Sequence, residues 1–156
     1  MGGLFTTVTA VGRNRVARVS STGGLDGSFN PNANNTVWTT AIQSDGQILI
    51  GGAFTTIGVT ARNRVARVSS TGGLDGTFNP NANNIVYSLL VESSNNILLG
   101  GNFTTVTAVG RNFISRVSST GGLDGSFNPN MNGIVYTLRQ DLETNILAGG
   151  AFTTVG

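Results

Sequence analysis

The chain has 156 residues, of which 23 are glycine, 9 are arginine and 7 are aspartate or glutamate, and it contains no lysine, histidine or cysteine. This composition excludes a Ser-His-Asp triad, a thiolate nucleophile, a disulfide, a lysine Schiff base and a phosphate loop that ends in Gly-Lys. The net charge of +2 forms no basic cluster that would favour a nucleic-acid partner, and no apolar run is long enough for a transmembrane helix.

A repeat period of 49 residues runs through the whole chain. The first two copies are identical at about 31 of their 49 positions. All three prolines fall at one repeat position, as do four phenylalanines: Pro31, Pro80, Pro129 and Phe5, Phe54, Phe103, Phe152. We therefore interpret the chain as a single repeat array, with copies at residues 2–50, 51–99 and 100–148 and the start of a fourth at 149–156.

Within one period, taken in chain order, short apolar runs alternate with turn signals. Residues 37–43 predict a first strand, 44–47 a tight Asp-Gly turn, and 48–54 a second strand with a glycine pair where another backbone approaches closely. After a loop rich in threonine and glycine, residues 64–70 predict a third strand, 71–73 a turn and 74–78 a short fourth strand. An asparagine-rich loop over 79–84 leads to the next copy. No segment has a helical apolar period, so no helix is expected.

Four antiparallel strands in about 50 residues are typical of one blade of a β-propeller with a kelch-like period. The strands are apolar on both faces, as a sheet packed between two other sheets requires. The sequence thus predicts an all-β fold of four-stranded antiparallel propeller blades, about three per chain with incomplete terminal blades. A β-solenoid is the alternative, although its shorter coils rarely contain tight hairpins.

Several spaced features of the repeat resemble the delta-sixty repeat, a bacterial β-propeller-like repeat of about 50 residues. They are residues 43–47, Gly51, Gly52, Phe54, Arg67, Gly72, Gly73, Leu74, Asp75 and Phe78. The chain departs from the pattern at the first turn, where the Asp-Gly pair becomes Ser94-Asn95 and then Glu143-Thr144. The resemblance implies a propeller fold and an extracellular, cell-surface or virion-surface setting, and it supplies no catalytic residues.

The phase of the repeat predicts how copies of the chain associate. The sequence starts and stops at the second-strand position, and propellers close with roughly four to eight blades. We therefore expect exposed sheet edges and head-to-tail self-association, in which two chains giving six blades are favoured over a filament. The alternative is that these residues are an excerpt of a longer repeat array.

One aspartate and one arginine recur in every copy, on either side of the Thr-Gly-Gly turn. They predict structural ion pairs within each blade rather than a ring of acidic sites: Arg18 with Asp26, Arg67 with Asp75, and Arg116 with Asp124. The segment 26–34 carries oxygen-bearing side chains at alternate positions, which superficially suggests a calcium loop. Because only Asp26 is charged there, turn formation is the preferred interpretation, and no metal or cofactor is expected.

An aromatic residue follows each asparagine-rich loop, and an arginine ends each threonine-rich loop. Aromatic rings beside amides and guanidinium groups suit carbohydrate binding, whereas packing of the rings between blades is the structural alternative. The candidate ligand-binding residues are Asn34, Asn35, Trp38, Asn83, Asn84, Tyr87, Asn132, Tyr136, Arg13, Arg62 and Arg111.

The sequence favours a scaffold over an enzyme. Asp141 and Glu143 are the only closely spaced carboxylates and lie in one turn, whereas a glycosidase sets two carboxyl groups across a cleft. We therefore predict a non-enzymatic structural or interaction scaffold that binds itself. A lectin-like carbohydrate-binding module is the alternative.

Overall fold

The structure is a computed structural model that describes residues 1–156, and all its regular elements are β-strands. None of it forms a helix long and apolar enough to cross a lipid bilayer. In chain order the strands are β1 Thr7–Val8, β2 Val11–Gly12, β3 Val37–Ile42, β4 Ile48–Gly52, β5 Thr56–Ile57, β6 Thr60–Ala61, β7 Val65–Val68, β8 Val86–Val91, β9 Ile97–Gly101, β10 Thr105–Val106, β11 Val109–Gly110, β12 Ile114–Val117, β13 Val135–Gln140 and β14 Ile146–Gly150.

The strands form the small antiparallel sheets of propeller blades, so the predicted fold class is confirmed. One sheet has the order β3-β4-β7 and the next has the order β8-β9-β12. The predicted fourth strand is reduced to a single antiparallel bridge, Val68 to Leu74 in one blade and Val117 to Leu123 in the next. The chain turns away after that bridge because the side chain of Asp75 accepts hydrogen bonds from the backbone and hydroxyl of Thr77.

The turn between the first and second strands survives its change of sequence. Gly46 has a φ of 81°, and Asn95 and Thr144 take the same left-handed conformation with φ of 66° and 67°. The backbone bond that closes the turn is also kept, since Asn95 N donates to the Glu92 carbonyl and Thr144 N to the Asp141 carbonyl. Loss of the Asp-Gly pair therefore changes the strain of this turn without changing its path.

Adjacent blades pack through their first strands and through close backbone approaches. Thr39 Oγ1 accepts a bond of 3.3 Å from Leu89 N, and Ser88 Oγ accepts one of 3.1 Å from Leu138 N. A Cβ atom at Gly51 would lie 3.1 Å from Leu89 Cδ1 of the next blade. The same Cβ atom would lie 2.7 Å from Thr39 Cγ2 of its own sheet, so the first residue of the predicted glycine pair is required by contacts within the sheet and with the next blade.

Three short hairpins in the threonine-rich segments were not predicted. They are β1–β2, β5–β6 and β10–β11, each with two residues per strand. Their turns use Thr9-Ala10, Gly58-Val59 and Thr107-Ala108, and only one of these turns contains a glycine. The usual sequence signal for a two-residue hairpin is therefore missing from two copies.

The core lies between the blades, in three apolar clusters. The largest joins the second and third copies around Phe78 and Phe103, and another joins the first two copies around Phe29 and Phe54. The third cluster, around Leu138, has only five buried residues. It is smaller because β14 has no third strand beside it, whereas β4 and β9 each have one.

Candidate functional site

Each copy contains an arginine that is held by an aspartate and a phenylalanine of the same copy. Arg67 Nη2 lies 2.7 Å from Asp75 Oδ2, and its guanidinium carbon lies 4.7 Å from the centre of the Phe78 ring. The corresponding ion-pair distances are 2.6 Å for Arg18 with Asp26 and 2.8 Å for Arg116 with Asp124. In the other two copies, the guanidinium group of Arg18 lies over the ring of Phe29, and that of Arg116 lies over the ring of Phe127.

These aspartates are held in the charged form. Hydrogen bonds from Ser126 and then from Arg116 lower the pKa of Asp124 from 3.8 to about 2. Hydrogen bonds from Ser28 and Arg18 lower the pKa of Asp26, and those from Thr77 and Arg67 lower that of Asp75. Each carboxylate therefore binds an arginine and also accepts the hydrogen bonds that close a turn, which is a structural role.

The same arginines also connect consecutive copies. An Nη atom of Arg18 donates to the carbonyl of Ser70, and one of Arg67 donates to the carbonyl of Ser119. Both bonds run from one copy to the next copy along the chain. Arg116 has no such bond, and its Nη1 instead lies 3.7 Å from Glu92 Oε1 of its own blade. The third arginine therefore lacks the carbonyl that its two equivalents bind.

An apolar groove lies beside β14, where the third strand of a blade is absent. Phe29 and Phe78 are 2% and 0% exposed because they share clusters with Val68 and Val117 of the following copy. Phe127 has no such neighbour and is only half-buried. The groove has a volume of about 320 Å³ and is lined by Ile114, Phe127, Pro129, Met131, Ile146, Ala148, Phe152 and Val155.

The three aromatic residues of the repeat form a continuous row across the blades. The ring centres of Trp38 and Tyr87 are 5.7 Å apart, and those of Tyr87 and Tyr136 are 5.3 Å apart. Each residue lies at a bulge of a first strand, which turns its side chain out of the regular alternation. Trp38 is 56% exposed and Tyr136 is 51% exposed, but the rings are tilted by about 60° to one another. The row therefore offers ring edges and separate faces rather than one flat platform.

The candidate asparagines bind the protein itself. Asn34 Oδ1 accepts hydrogen bonds from the backbone of Thr55 and Thr56, and its Nδ2 donates to Thr55 Oγ1. Asn83 and Asn132 make the equivalent bonds to the next threonine pair. These side chains join each loop to the following copy, a role that sequence reasoning missed although the asparagine recurs at one repeat position. Asn35 and Asn84 cap the residue that follows them.

The candidate arginines of the threonine-rich loops lie in the interior of each copy. Arg13, Arg62 and Arg111 are 6% to 7% exposed. Their Nη atoms donate to backbone carbonyls on either side, in the middle copy those of Ala61 and Gly76 at 2.8 Å. The structure does not bring these guanidinium groups to the surface beside the aromatic row, as a sugar site would need. Each is enclosed by the short hairpin before it and by the Asp-Gly pair that follows the third strand, Asp75-Gly76 in the middle copy.

Neither a carboxylate pair across a cleft nor a metal-ligand cluster is present among residues 1–156. Asp141 accepts bonds from Glu143 N, Asn145 N and Asn145 Nδ2 within one turn. The carboxylate of Asp26 is occupied by Ser28 and Arg18, and no group of three or more acidic, histidine or cysteine residues surrounds a common point.

Residues 43–78 match a protein-family model described as a domain of unknown function (DUF5122) beta-propeller. The matched stretch begins directly after β3, ends at Phe78 and contains β4, β7 and the Arg67–Asp75 pair. It supports a β-propeller-like repeat family, whereas the delta-sixty assignment stays a prediction. No curated protein matches the chain, and no solved structure matches it.

Proposed function

We propose that the chain is a non-enzymatic scaffold of propeller blades that associates head to tail with other copies of itself. The observation that carries this proposal is the unfinished contact beside β14, where Phe127 is half-buried and Arg116 lacks its forward carbonyl partner. The same contact is complete at two other places in the chain. A second copy has the residues that complete it, because every copy of the chain contains the third strand of the repeat.

The residue that would cover Phe127 is Val19 of a second copy. Val19 stands at the repeat position of Val68 and Val117, and it is 39% exposed where those two are buried. A contact between Val19 of one copy and Phe127 of the other would thus repeat the valine–phenylalanine contacts that already join blades within the chain. The carbonyl of Ser21, at the position of Ser70 and Ser119, would accept the bond from Arg116.

Such an interface is heterologous, so it closes into a ring or continues as a filament. Two chains supply about six blades, which lies within the range in which propellers close. We therefore propose a two-chain ring as the favoured assembly.

The test is the mass in solution, measured by light scattering at micromolar concentration. We expect about twice the chain mass of 16.1 kDa, or more if a filament forms. Val19→Asp should return the protein to the monomer, because it places a carboxylate against the apolar groove. Val59→Asp is the matched control, since Val59 is fully exposed in a turn. A monomeric wild-type protein at these concentrations would overturn the proposal.

The second candidate function is carbohydrate binding, and the exposed aromatic row favours it. Trp38 and Tyr136 offer half-exposed rings that can each stack on the apolar face of a sugar. Calorimetric titration with a panel of oligosaccharides tests this function. We expect Trp38→Ala to abolish binding and Ile42→Ala, an exposed residue of the same strand, to preserve it. Equal binding by both variants would exclude the aromatic row as the site.

A further inference from the structure

The position that β14 would take in a second copy is already occupied in each chain. Met1 N donates to the Ala17 carbonyl at 2.8 Å, Ala17 N donates back to the Met1 carbonyl at 3.0 Å, and Gly2 pairs with Val16. These residues therefore lie against residues 16–17 as β4 lies against β7 and β9 against β12. The N-terminal segment of the chain fills its own second-strand position.

Residues 149–155 repeat residues 2–8 with a single difference, Ala151 in place of Leu4. The two segments can thus occupy the same position, but they are held differently. Residues 151–156 are tied to the preceding copy, because Asn132 accepts bonds from Thr153 N and Thr154 N and the Pro129 carbonyl accepts one from Gly156 N. Residues 4–9 make no equivalent bonds to another copy, since Thr6 and Phe5 accept only from Arg13 and Arg15, and Leu4 is 68% exposed.

We propose that association occurs by strand exchange, in which residues 148–156 of one copy replace residues 1–9 of the next. The inference rests on the proposed head-to-tail association and specifies how its interface forms. Residues 16–19 of the receiving copy then pair with β14 in the register that the complete blades use. There Ile48 faces Val68 and Ile97 faces Val117, so Ile146 faces Val19 of the second copy.

Charge is complementary across the same junction. In the complete blades, the arginine of the third strand faces a side chain at the end of the first strand: Arg67 donates to Gln43 Oε1 at 3.1 Å, and Arg116 lies near Glu92. The residue at this repeat position beside β14 is Asp141, and the arginine that would face it is Arg18 of the receiving copy. Hydrogen bonds from Asn145 lower the pKa of Asp141 and keep its carboxylate charged. The arriving copy thus brings an anion, Asp141, to the cation Arg18 of the receiving copy.

The segment 1–9 therefore acts as a plug that the arriving strand must displace. Its last contact is the hairpin β1–β2, in which Val8 faces Val11. In the exchanged state Val155 of the other copy takes the place of Val8. The hairpin β10–β11 has the same four residues, with Val106 facing Val109, but it lies within the chain and takes no part in the exchange.

A reversible disulfide that holds the segment 1–9 in its own chain tests the inference. The chain has no cysteine, so Val8→Cys with Val11→Cys introduces a single possible intrachain disulfide. We expect the oxidised variant to have the mass of one chain and the reduced variant the mass of the wild-type assembly, with at least tenfold weaker association in the oxidised state. The matched variant Val106→Cys with Val109→Cys should have the assembly mass in both states.

Equal masses of the oxidised and reduced Val8→Cys, Val11→Cys variant, with a wild-type protein that associates, would overturn strand exchange and leave the proposed association in place. A wild-type protein that stays monomeric would instead overturn the association itself. The two failures are therefore distinguished by the wild-type sample alone.

Discussion

At the scale of single residues, the glycines of the second strand set how closely neighbouring strands approach. A Cβ atom at Gly101 would lie 2.2 Å from the carbonyl oxygen of Ile85, and one at Gly52 would lie 2.2 Å from that of Thr36. Backbone atoms cannot move aside as a side-chain end can. The bulge that turns Tyr87 outward therefore depends on the absence of a side chain at Gly101.

We predict that Gly101→Ala lowers the free energy of unfolding by about 3 kcal/mol, because the added methyl group overlaps the carbonyl oxygen of Ile85, directly before β8. Gly110→Ala is the control, since no atom lies within 4 Å of a Cβ atom at that position. The control should stay within about 0.5 kcal/mol of the wild type. Urea unfolding followed by circular dichroism measures both, and equal stabilities would contradict the steric argument.

The aspartates predict a dependence of stability on pH at the same scale. The pKa of Asp124 is lower in the folded chain than its ordinary value of 3.8, so the unfolded state binds more protons at acidic pH. The stabilisation is complete above about pH 4 and is lost as the pH falls towards 2.

We predict that Ser126→Ala reduces this loss, because Ser126 donates the hydrogen bonds that contribute most to the lowered pKa. The melting temperature should therefore fall less steeply between pH 4 and pH 2 in the variant than in the wild type. Ser44→Ala, in an exposed turn, should preserve the wild-type slope. A slope unchanged by Ser126→Ala would show that Asp124 is not linked to acid unfolding.

At the scale of elements, the first and second strands were predicted almost to the residue, because apolar runs and Asp-Gly turns mark them. Strand β3 ends one residue before the predicted end at Gln43, and β4 ends two residues before Phe54. The fourth strand, residues 74–78, was overestimated, since the strand pattern does not reveal that the Asp75 side chain bonds to Thr77 and bends the backbone there.

The candidate site was predicted less well than the strands. The Arg–Asp pairs are present where spacing across the Thr-Gly-Gly turn placed them. The forward bond from Arg67 to Ser119 was not foreseeable, because it joins residues of different copies and depends on how blades stack. For the same reason the burial of Arg62 could not be deduced from its polar neighbours in the sequence.

The β13–β14 turn supports a prediction about strain. Thr144 has a β-branched side chain and a φ of 67°, where the first copy has a glycine. We predict that Thr144→Gly stabilises the hairpin by about 1 kcal/mol through relief of the left-handed conformation. Hydrogen exchange of the β14 amides measures the change. Gly46→Thr, the reverse substitution, should speed exchange in β4, and identical rates in all proteins would exclude strain at this turn.

At the scale of the whole molecule, the register of the proposed junction predicts one specific crosslink. Ile146→Cys with Val19→Cys should form an interchain disulfide, as the equivalent pair Ile97→Cys with Val117→Cys should form one within the chain. Non-reducing electrophoresis separates the products: a closed two-chain ring gives only covalent dimers, whereas a filament gives a ladder. Ile146→Cys with Ser20→Cys, displaced by one residue, should crosslink poorly, and equal yields would contradict this register.

The bonds from Arg18 to Ser70 and from Arg67 to Ser119 both run from one copy to the next copy along the chain. The array therefore has a direction, with a forward face that donates these bonds and a receiving face that accepts them. A chain with a damaged receiving face would still offer an intact forward face. In the proposed assembly, such a chain would bind one neighbour and block further association, so that a minority of variant chains mixed with the wild type would leave rings incomplete.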